Sequence, residues 1–103
     1  MKFLILAAAT LAAFPVAAQD IQGRNLAAGC AICHGTEGHT GARESPLIPL
    51  AGLPRDHIAT QMRAFRDGKR PATVMHQIAK GYTDPQIDAL AAWFAAQKRS
   101  EAP

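Results

Sequence analysis

The chain has 103 residues and two cysteines, and its 11 Lys and Arg against 8 Asp and Glu give a formal net charge of +3. This length is typical of a single domain, and so small a charge does not support binding to nucleic acid or to an anionic membrane surface. The sequence contains no internal repeat, and no low-complexity tract beyond its first 18 residues.

Residues 1–18 have the features of an export signal. Lys2 supplies a positive start, the apolar stretch "FLILAAATLAAFPVAA" follows, and Val16 and Ala18 stand at the −3 and −1 positions of a cleavage site. A retained membrane anchor is the alternative, but the stretch is barely long enough to span a bilayer and a proline interrupts it. We therefore expect export to the periplasm, removal of residues 1–18, no stable membrane insertion, and one mature domain of residues 19–103.

Without Lys2 the mature domain would have 10 basic and 8 acidic residues, a formal charge of +2. At about 85 residues, side chains alone form only a marginal core, and domains of this size usually need a staple. We therefore expect a further group to complete the middle of the domain.

The first predicted helix covers residues 20–33, with Asp20 available as its N-cap. One stripe of this helix has small side chains that let another helix approach closely. The stripe consists of Gly23, Ala27, Cys30 and His34. Residues 35–54, "GTEGHTGARESPLIPLAGLP", then form a loop, because their glycines and prolines break any helix and no strand pattern replaces it.

Three further helices are predicted after the loop. Residues 54–67 and residues 73–80 have apolar residues at helical spacing, and the last helix begins with a capping box of Thr83 and Gln86. The apolar stripes are Ile58, Met62 and Phe65 in the first of these helices and Ile87, Leu90, Ala91 and Phe94 in the last. No segment has a convincing strand pattern, so we predict an all-α domain.

Both cysteines lie in "AAGCAICHGTEG", where Cys30, Cys33 and His34 form a C-x-x-C-H motif. A dithiol redox site needs a βαβ setting, which this sequence lacks. A structural zinc site would have to recruit two of the four histidines at no recognised spacing, and a disulfide between residues three apart would close too short a loop to stabilise much. Covalent attachment of haem is the remaining interpretation.

The spacing of the motif suits haem, because positions i, i+3 and i+4 project from one face of a helix. The thiols of Cys30 and Cys33 can then bond the two vinyl groups while the imidazole of His34 reaches the iron. Export supports this interpretation, since a free dithiol in an oxidising compartment would otherwise form a disulfide.

The sixth ligand of the iron is less clearly marked. Its candidates are Met62, Met75, His39, His57 and His76. Met62 lies on the apolar face of a helix, where core packing is its ordinary role. Met75 follows the breaker-rich stretch "DGKRPATV" and is 41 residues beyond His34, far enough for the chain to wrap to the opposite face of a flat cofactor. A lone methionine at helical spacing is ordinarily part of a core, so the pattern alone leaves the ligand open.

Four stretches, "CAICHGTEG", "IPLAGLP", "QMRAFRDGKRPATVM" and "IAKGYTDPQIDALAAWFAAQK", resemble a class I c-type cytochrome. Within that class the chain is similar to the bacterial branch that contains the haem subunit of flavocytochrome c sulfide dehydrogenase. The resemblance covers essentially the whole mature chain. It implies one haem c bound through Cys30 and Cys33, with His34 as proximal and Met75 as distal iron ligand.

The resemblance also implies a fold in which the N-terminal and C-terminal helices cross. Gly23 and Ala27 would then receive side chains of the last helix, namely Leu90, Trp93 and Phe94. A proline carbonyl in the loop after the motif would orient the ring of His34, and both Pro46 and Pro49 are candidates.

The implied function is electron transfer rather than catalysis, since two filled axial positions leave no site for a substrate on the iron. In one hypothesis the chain is the subunit that accepts electrons from a flavoprotein, most plausibly a sulfide dehydrogenase. In the other it is a free cytochrome that diffuses between larger redox complexes. A five-coordinate haem that binds a gas or reacts with peroxide would require that Met75 not bind the iron.

The run "RAFRDGKR", residues 63–70, is basic and is ordinarily a solvated helix end. The alternative hypothesis is that Lys69 or Arg70 pairs with a haem propionate or with an acidic docking surface.

Overall fold

The computed structural model describes residues 16–40 and 47–99, and this part of the chain is all-helical, as the sequence predicts. Its helices are α1 (Val16–His34), α2 (Arg55–Arg66), α3 (Met75–Ala79) and α4 (Asp84–Ala95), with a 3-10 turn at Thr36–Gly38. Among these described helices, none has the length and apolar character needed to cross a membrane. Most of the predicted signal peptide lies outside the described residues, so its removal stays a prediction.

α1 begins earlier than the sequence predicted. The helix starts at Val16, so Asp20 lies inside it and is not its N-cap. Residues 16–19 include two alanines, the best helix formers, and contain neither glycine nor proline. Nothing local stops the helix before Asp20, and the predicted N-cap is therefore wrong for this chain.

α3 is shorter than predicted, with Met75–Ala79 in place of residues 73–80. The backbone of Val74 (φ −131°, ψ −34°) is outside the helical region, and its carbonyl accepts the N–H groups of both Gln77 and Ile78. Two β-branched residues stand just before the helix, and their restricted side chains lower helix propensity there. The segment that carries Met75 is consequently mostly turn.

α4 begins as predicted. The hydroxyl of Thr83 accepts the N–H of Gln86 at 3.3 Å, and the N–H of Thr83 donates to the side-chain oxygen of Gln86 at 3.0 Å. The four side chains of its predicted apolar stripe are at most 1 % exposed. They are Ile87, Leu90, Ala91 and Phe94. Ala27 from α1 and Ile58 and Met62 from α2 join the same buried cluster, so both helices pack on α4.

α1 packs closely against α4 at Gly23. A Cβ added to Gly23 would lie 2.7 Å from the carbonyl oxygen of Ala89 and 2.9 Å from the Cβ of Trp93, closer than real side chains come. Trp93 in turn packs edge-on against Phe94, with ring centroids 5.1 Å apart. The implied packing of Gly23 against Trp93 is therefore confirmed, and only glycine permits it.

Ion pairs join α2 to the first turns of α4. Arg63 donates to Asp84 at 3.1 Å and to Asp88 at 2.7 Å, and Arg66 donates to Asp84 at 2.8 Å. Hydrogen bonds from Arg66 and Arg63 lower the pKa of Asp84 below its ordinary value of 3.8, and burial opposes them only in part. Since these groups face solvent, the pairs set the relative position of the two helices more than they add stability.

Replacement of Gly23 by alanine should destabilise the fold. The added methyl group would have to push α1 away from Ala89 and Trp93, and overpacking of this kind costs about 1–3 kcal/mol. Chemical unfolding of the purified protein, followed by circular dichroism, measures the change in free energy. Gly29→Ala is the matched control: it lies in the same helix, and its Cβ would meet only the Tyr82 hydroxyl, at 3.5 Å. That control should gain about 0.5–1 kcal/mol from helix propensity, and equal losses in both variants would contradict the close approach.

Replacement of Asp84 by asparagine should make the fold less sensitive to acid. Because the pKa of Asp84 is lower in the folded chain than in the unfolded one, its contribution is complete above pH 3.8 and is lost as the pH falls through the lower, folded value. Melting temperatures of wild type and Asp84→Asn should therefore converge below pH 3.8. Asp56→Asn is the control, because Asp56 is 92 % exposed and its nearest cation is 3.6 Å away. A constant difference between wild type and Asp84→Asn across this range would contradict the prediction.

Candidate haem site

The C-x-x-C-H motif forms the last turn of α1. Cys30 is half-buried and Cys33 is exposed, and His34 is the final residue of the helix. Gly35 ends the helix with a positive φ of 82°, and a Cβ at that position would overlap the carbonyl oxygen of His39. The chain can therefore reverse direction directly after the imidazole only because residue 35 is glycine.

An apolar cavity of about 470 Å³ opens beside this turn. Its lining brings together all of the predicted site residues: Cys30, Cys33, His34 and Met75. Further walls come from the loop before α2, from α2 itself and from α4; they include Leu50, Leu53, Ile58, Phe65, Leu90 and Phe94. A second depression, of about 310 Å³, lies between Arg55 and Asp88, and neither cysteine borders it.

The ring of His34 is held by a backbone carbonyl. Its Nδ1 lies 2.9 Å from the carbonyl oxygen of Ile48. A carbonyl only accepts, so Nδ1 carries the hydrogen and Nε2 keeps the lone pair with which a histidine binds metal. The imidazole is thereby fixed in the tautomer that a proximal ligand needs.

The expectation that a proline carbonyl, from Pro46 or Pro49, orients this ring is wrong, since the partner is the carbonyl of Ile48. Pro46 lies outside the described residues. The reason is the register of the loop. The carbonyl of Gly38 accepts N–H groups from both Leu50 and Ala51, at 2.9 and 3.3 Å, which fixes this segment against the 3-10 turn. In that register the carbonyl of Ile48, the residue before Pro49, reaches the imidazole of His34.

The two cysteines have different surroundings. Burial raises the pKa of the Cys30 thiol, and a hydrogen bond with Tyr82 offsets this only in part. Burial also raises the pKa of Tyr82, and the neighbouring Cys30 adds to that rise. Cys30 is therefore a neutral thiol on the inner side of α1, whereas Cys33 faces solvent. The sequence pattern treats the two sulfurs alike and gave no sign of this difference, or of Tyr82.

Three of the five candidate distal ligands line the cavity, and the other two do not. Met75 and Met62 both line the cavity; Met75 is half-buried at the start of α3, and Met62 is 6 % exposed within the core. His57 also borders the cavity from the exposed side of α2. His39 is engaged elsewhere, since its Nε2 donates to the carbonyl of Lys98 at 2.7 Å. His76 is not part of the lining.

The residues that are present fit a haem. Thiols, an imidazole and thioethers surround an apolar cavity, which is the donor set of a c-type haem site. Within residues 16–40 and 47–99, neither Asp nor Glu lines the cavity, and no three His, Cys, Asp or Glu side chains are grouped so as to hold a metal ion by themselves. The described donors thus suit iron held in a porphyrin and do not suit a bare zinc ion.

Comparison with known proteins decides the family. No protein-family model matches the chain. The cytochrome subunit of sulfide dehydrogenase of Chlorobaculum tepidum is 39 % identical over 76 residues, which cover 73 % of this chain and 66 % of the relative. A thiosulfate dehydrogenase electron acceptor of Thiomonas intermedia is 40 % identical over 77 residues, which cover 75 % of this chain and 35 % of the relative. Cytochrome c-554(548) of Halomonas halodenitrificans is 34 % identical over 73 residues, which cover 67 % of this chain and 84 % of the relative.

The chain belongs to the class I c-type cytochromes.

The fold expected for this class is confirmed. As a member of the class, the protein binds haem c covalently and functions in electron transfer. The aligned part of the cytochrome spans about two thirds of the sulfide dehydrogenase subunit and about one third of the thiosulfate dehydrogenase electron acceptor.

Proposed function

We propose that this cytochrome transfers single electrons through a haem attached to Cys30 and Cys33, with His34 as proximal and Met75 as distal iron ligand. The observation that carries the proposal is the cavity, on whose walls both sulfurs of the motif, the imidazole and the Met75 thioether meet. Bound haem supplies the one-electron chemistry of its iron. The protein supplies the attachment, the ligands and a largely apolar surrounding.

His34 is suited to the proximal position by its contact with Ile48. The Nδ1–H group donates to the carbonyl of Ile48, so the ring keeps one orientation and the neutral imidazole has its lone pair on Nε2. Such a contact also raises the basicity of the coordinating nitrogen. The ligand is thus held in place before any metal binds.

Met75 is suited to the distal position by its place on the turn-rich segment between α2 and α4. A thioether opposite a histidine raises the reduction potential of a haem, because soft sulfur favours the ferrous state. With both axial positions filled, no substrate can reach the iron. We therefore propose a carrier of electrons rather than an enzyme.

The mouth of the cavity is a reasonable exit for electrons. Cys33 is exposed there, and Ile48, Val74 and Ile78, which line the cavity, are 52 %, 54 % and 39 % exposed. An apolar rim of this kind can lie against a partner protein without a large desolvation cost. The partner would be another redox protein.

For the partner we propose the flavoprotein subunit of a sulfide dehydrogenase, with both proteins in the periplasm after residues 1–18 are removed. The support is the 39 % identity with a protein named as the cytochrome subunit of sulfide dehydrogenase. The alternative is a free cytochrome that diffuses between larger redox complexes. Its support is the 40 % identity with a protein named as an electron acceptor of thiosulfate dehydrogenase.

Replacement of Met75 by leucine should remove the distal ligand. In the oxidised protein, the weak long-wavelength absorption band that marks an iron–thioether bond should disappear, and the reduction potential should fall, because sulfur no longer favours ferrous iron. Visible spectroscopy with an anaerobic redox titration measures both. The matched control is Met62→Leu, the other methionine of the cavity, which should keep the band. Loss of the band in Met62→Leu alone would move the ligand to Met62, and absence of the band in wild type would exclude a methionine ligand and leave a five-coordinate haem or ligation by His57, which also lines the cavity.

Purification from the native host under mild conditions should yield this cytochrome together with a flavoprotein in equal amounts. Size-exclusion chromatography with absorption recorded for haem and for flavin measures the ratio, and added sulfide should reduce the haem of that complex. Cytochrome that elutes as a lone monomer and is reduced only by separately added dehydrogenases would contradict the subunit role and support the free carrier.

A further inference from the structure

We propose that the hydroxyl of Tyr82 donates a hydrogen bond to the sulfur that joins Cys30 to the haem, and that this contact holds the segment carrying Met75 against the last turn of α1. Tyr82 is thus a positioning residue, which acts on the iron through Met75. The proposal rests on the proposed function, since it needs the haem on Cys30 and Met75 on the iron. It concerns a residue outside the motif and outside the iron ligands.

Tyr82 lies between the helix that begins with Met75 and the start of α4. It follows Met75 by seven residues, and its N–H donates to the carbonyl of Ala79 at 3.2 Å. Thr83 then begins the capping box of α4. The side chain of Tyr82 is half-buried and packs against the core. Its ring therefore has a fixed place at the point where the Met75 segment ends.

The hydroxyl of Tyr82 reaches the last turns of α1. It lies 3.5 Å from the position that a Cβ on Gly29 would take, and it forms a hydrogen bond with the thiol of Cys30, the next residue. α3 itself packs on α2. Tyr82 thus links the Met75 segment to the helix that carries the motif.

The direction of this hydrogen bond follows from the chemistry of haem attachment. When the thiol of Cys30 adds to a vinyl group, an S–C bond replaces the S–H bond and the hydrogen goes to the other vinyl carbon. The resulting thioether has lone pairs and no hydrogen, so it can only accept. Burial is the main cause that raises the pKa of Tyr82 above its ordinary value of 10.0, so the phenol keeps its proton and donates.

The two attachment sulfurs differ in what they can hold. Cys33 is on the exposed side of the same turn, where water competes for a weak acceptor and a hydrogen bond contributes little. Cys30 is half-buried and packs against the core beside Tyr82. The attachment through Cys30 therefore also joins two parts of the fold.

The Met75 segment is where one added hydrogen bond has a measurable effect. α3 has five residues, and so short an element opens at low free energy. Met75 leaves the iron when the segment opens. A hydrogen bond that exists only in the closed state lowers the population of the open state, and so keeps the thioether on the iron.

The first test compares Tyr82→Phe with the control Gln77→Ala in haem-loaded ferric protein. Added imidazole binds the iron only when Met75 has left it, so its apparent affinity is set by the population of the open segment. That affinity should rise about fivefold in Tyr82→Phe, the factor that corresponds to one net hydrogen bond. Gln77→Ala, an exposed change in α3, should stay within about twofold of wild type. Disappearance of the iron–thioether band measures the exchange.

Infrared spectroscopy of protein with ring-labelled tyrosine gives a second readout, which a merely structural role would not move. Tyr82 is the one tyrosine of the sequence, so the labelled C–O band reports this hydroxyl alone. The band should shift in Cys30→Ala, attached through Cys33 only, and stay in place in Cys33→Ala, attached through Cys30 only. If these variants do not mature, proton NMR of ferrous wild type replaces them: the ring protons of Tyr82 should show cross-peaks to the β protons of Cys30.

Wild-type imidazole affinity in pigmented Tyr82→Phe would overturn the proposal, whatever the tyrosine band does, because the contact would then have no hold on Met75. An equal rise of the affinity in Gln77→Ala would also overturn it, as would a tyrosine band that is the same in Cys30→Ala and wild type, or absent cross-peaks to Cys30. Wild-type protein that acquires no haem, or that shows no iron–thioether band, would instead refute the proposed function itself.

Discussion

The contact of α1 with α4 at Gly23 is the constraint on which the rest of the site depends. The motif residues occupy the last turn of α1, and Leu90 and Phe94 of α4 form the wall beside them. The two helices come this close at residue 23 only because it has no side chain. A packing contact two turns away from the motif thus holds the helix that carries the motif against the helix that forms one wall of the cavity.

A second constraint acts on the loop after the motif. The carbonyl of Gly38 accepts two N–H groups, from Leu50 and Ala51, and so fixes the chain that passes in front of His34. Gly38 itself has a φ of 81° and fits tightly against Ala51 and Phe94. The orientation of the imidazole is consequently a property of the loop and of α4 together, and the motif alone does not provide it.

Local signals in the sequence predicted much of this structure, and non-local contacts account for the rest. The capping box of Thr83 and the apolar stripe of α4 depend on neighbours within one or two turns, so they could be read from the chain directly. The early start of α1 at Val16 and the shortened α3 differ from expectation because helix ends depend on weak preferences. The contact of His34 with the carbonyl of Ile48, and not with that of Pro49, depends on the folded loop, which no spacing rule describes.

The turn-rich segment around α3 makes the two sides of the cavity unequal. On one side the motif belongs to α1, a helix of 19 residues. On the other side Met75 begins α3, a helix of five residues, and the carbonyl of Val74 just before it accepts two N–H groups. Short segments with few internal hydrogen bonds open at lower free energy than long packed helices. We therefore expect partial unfolding to begin with the α3 wall, so that the histidine side of the cavity outlasts the methionine side when the protein is heated.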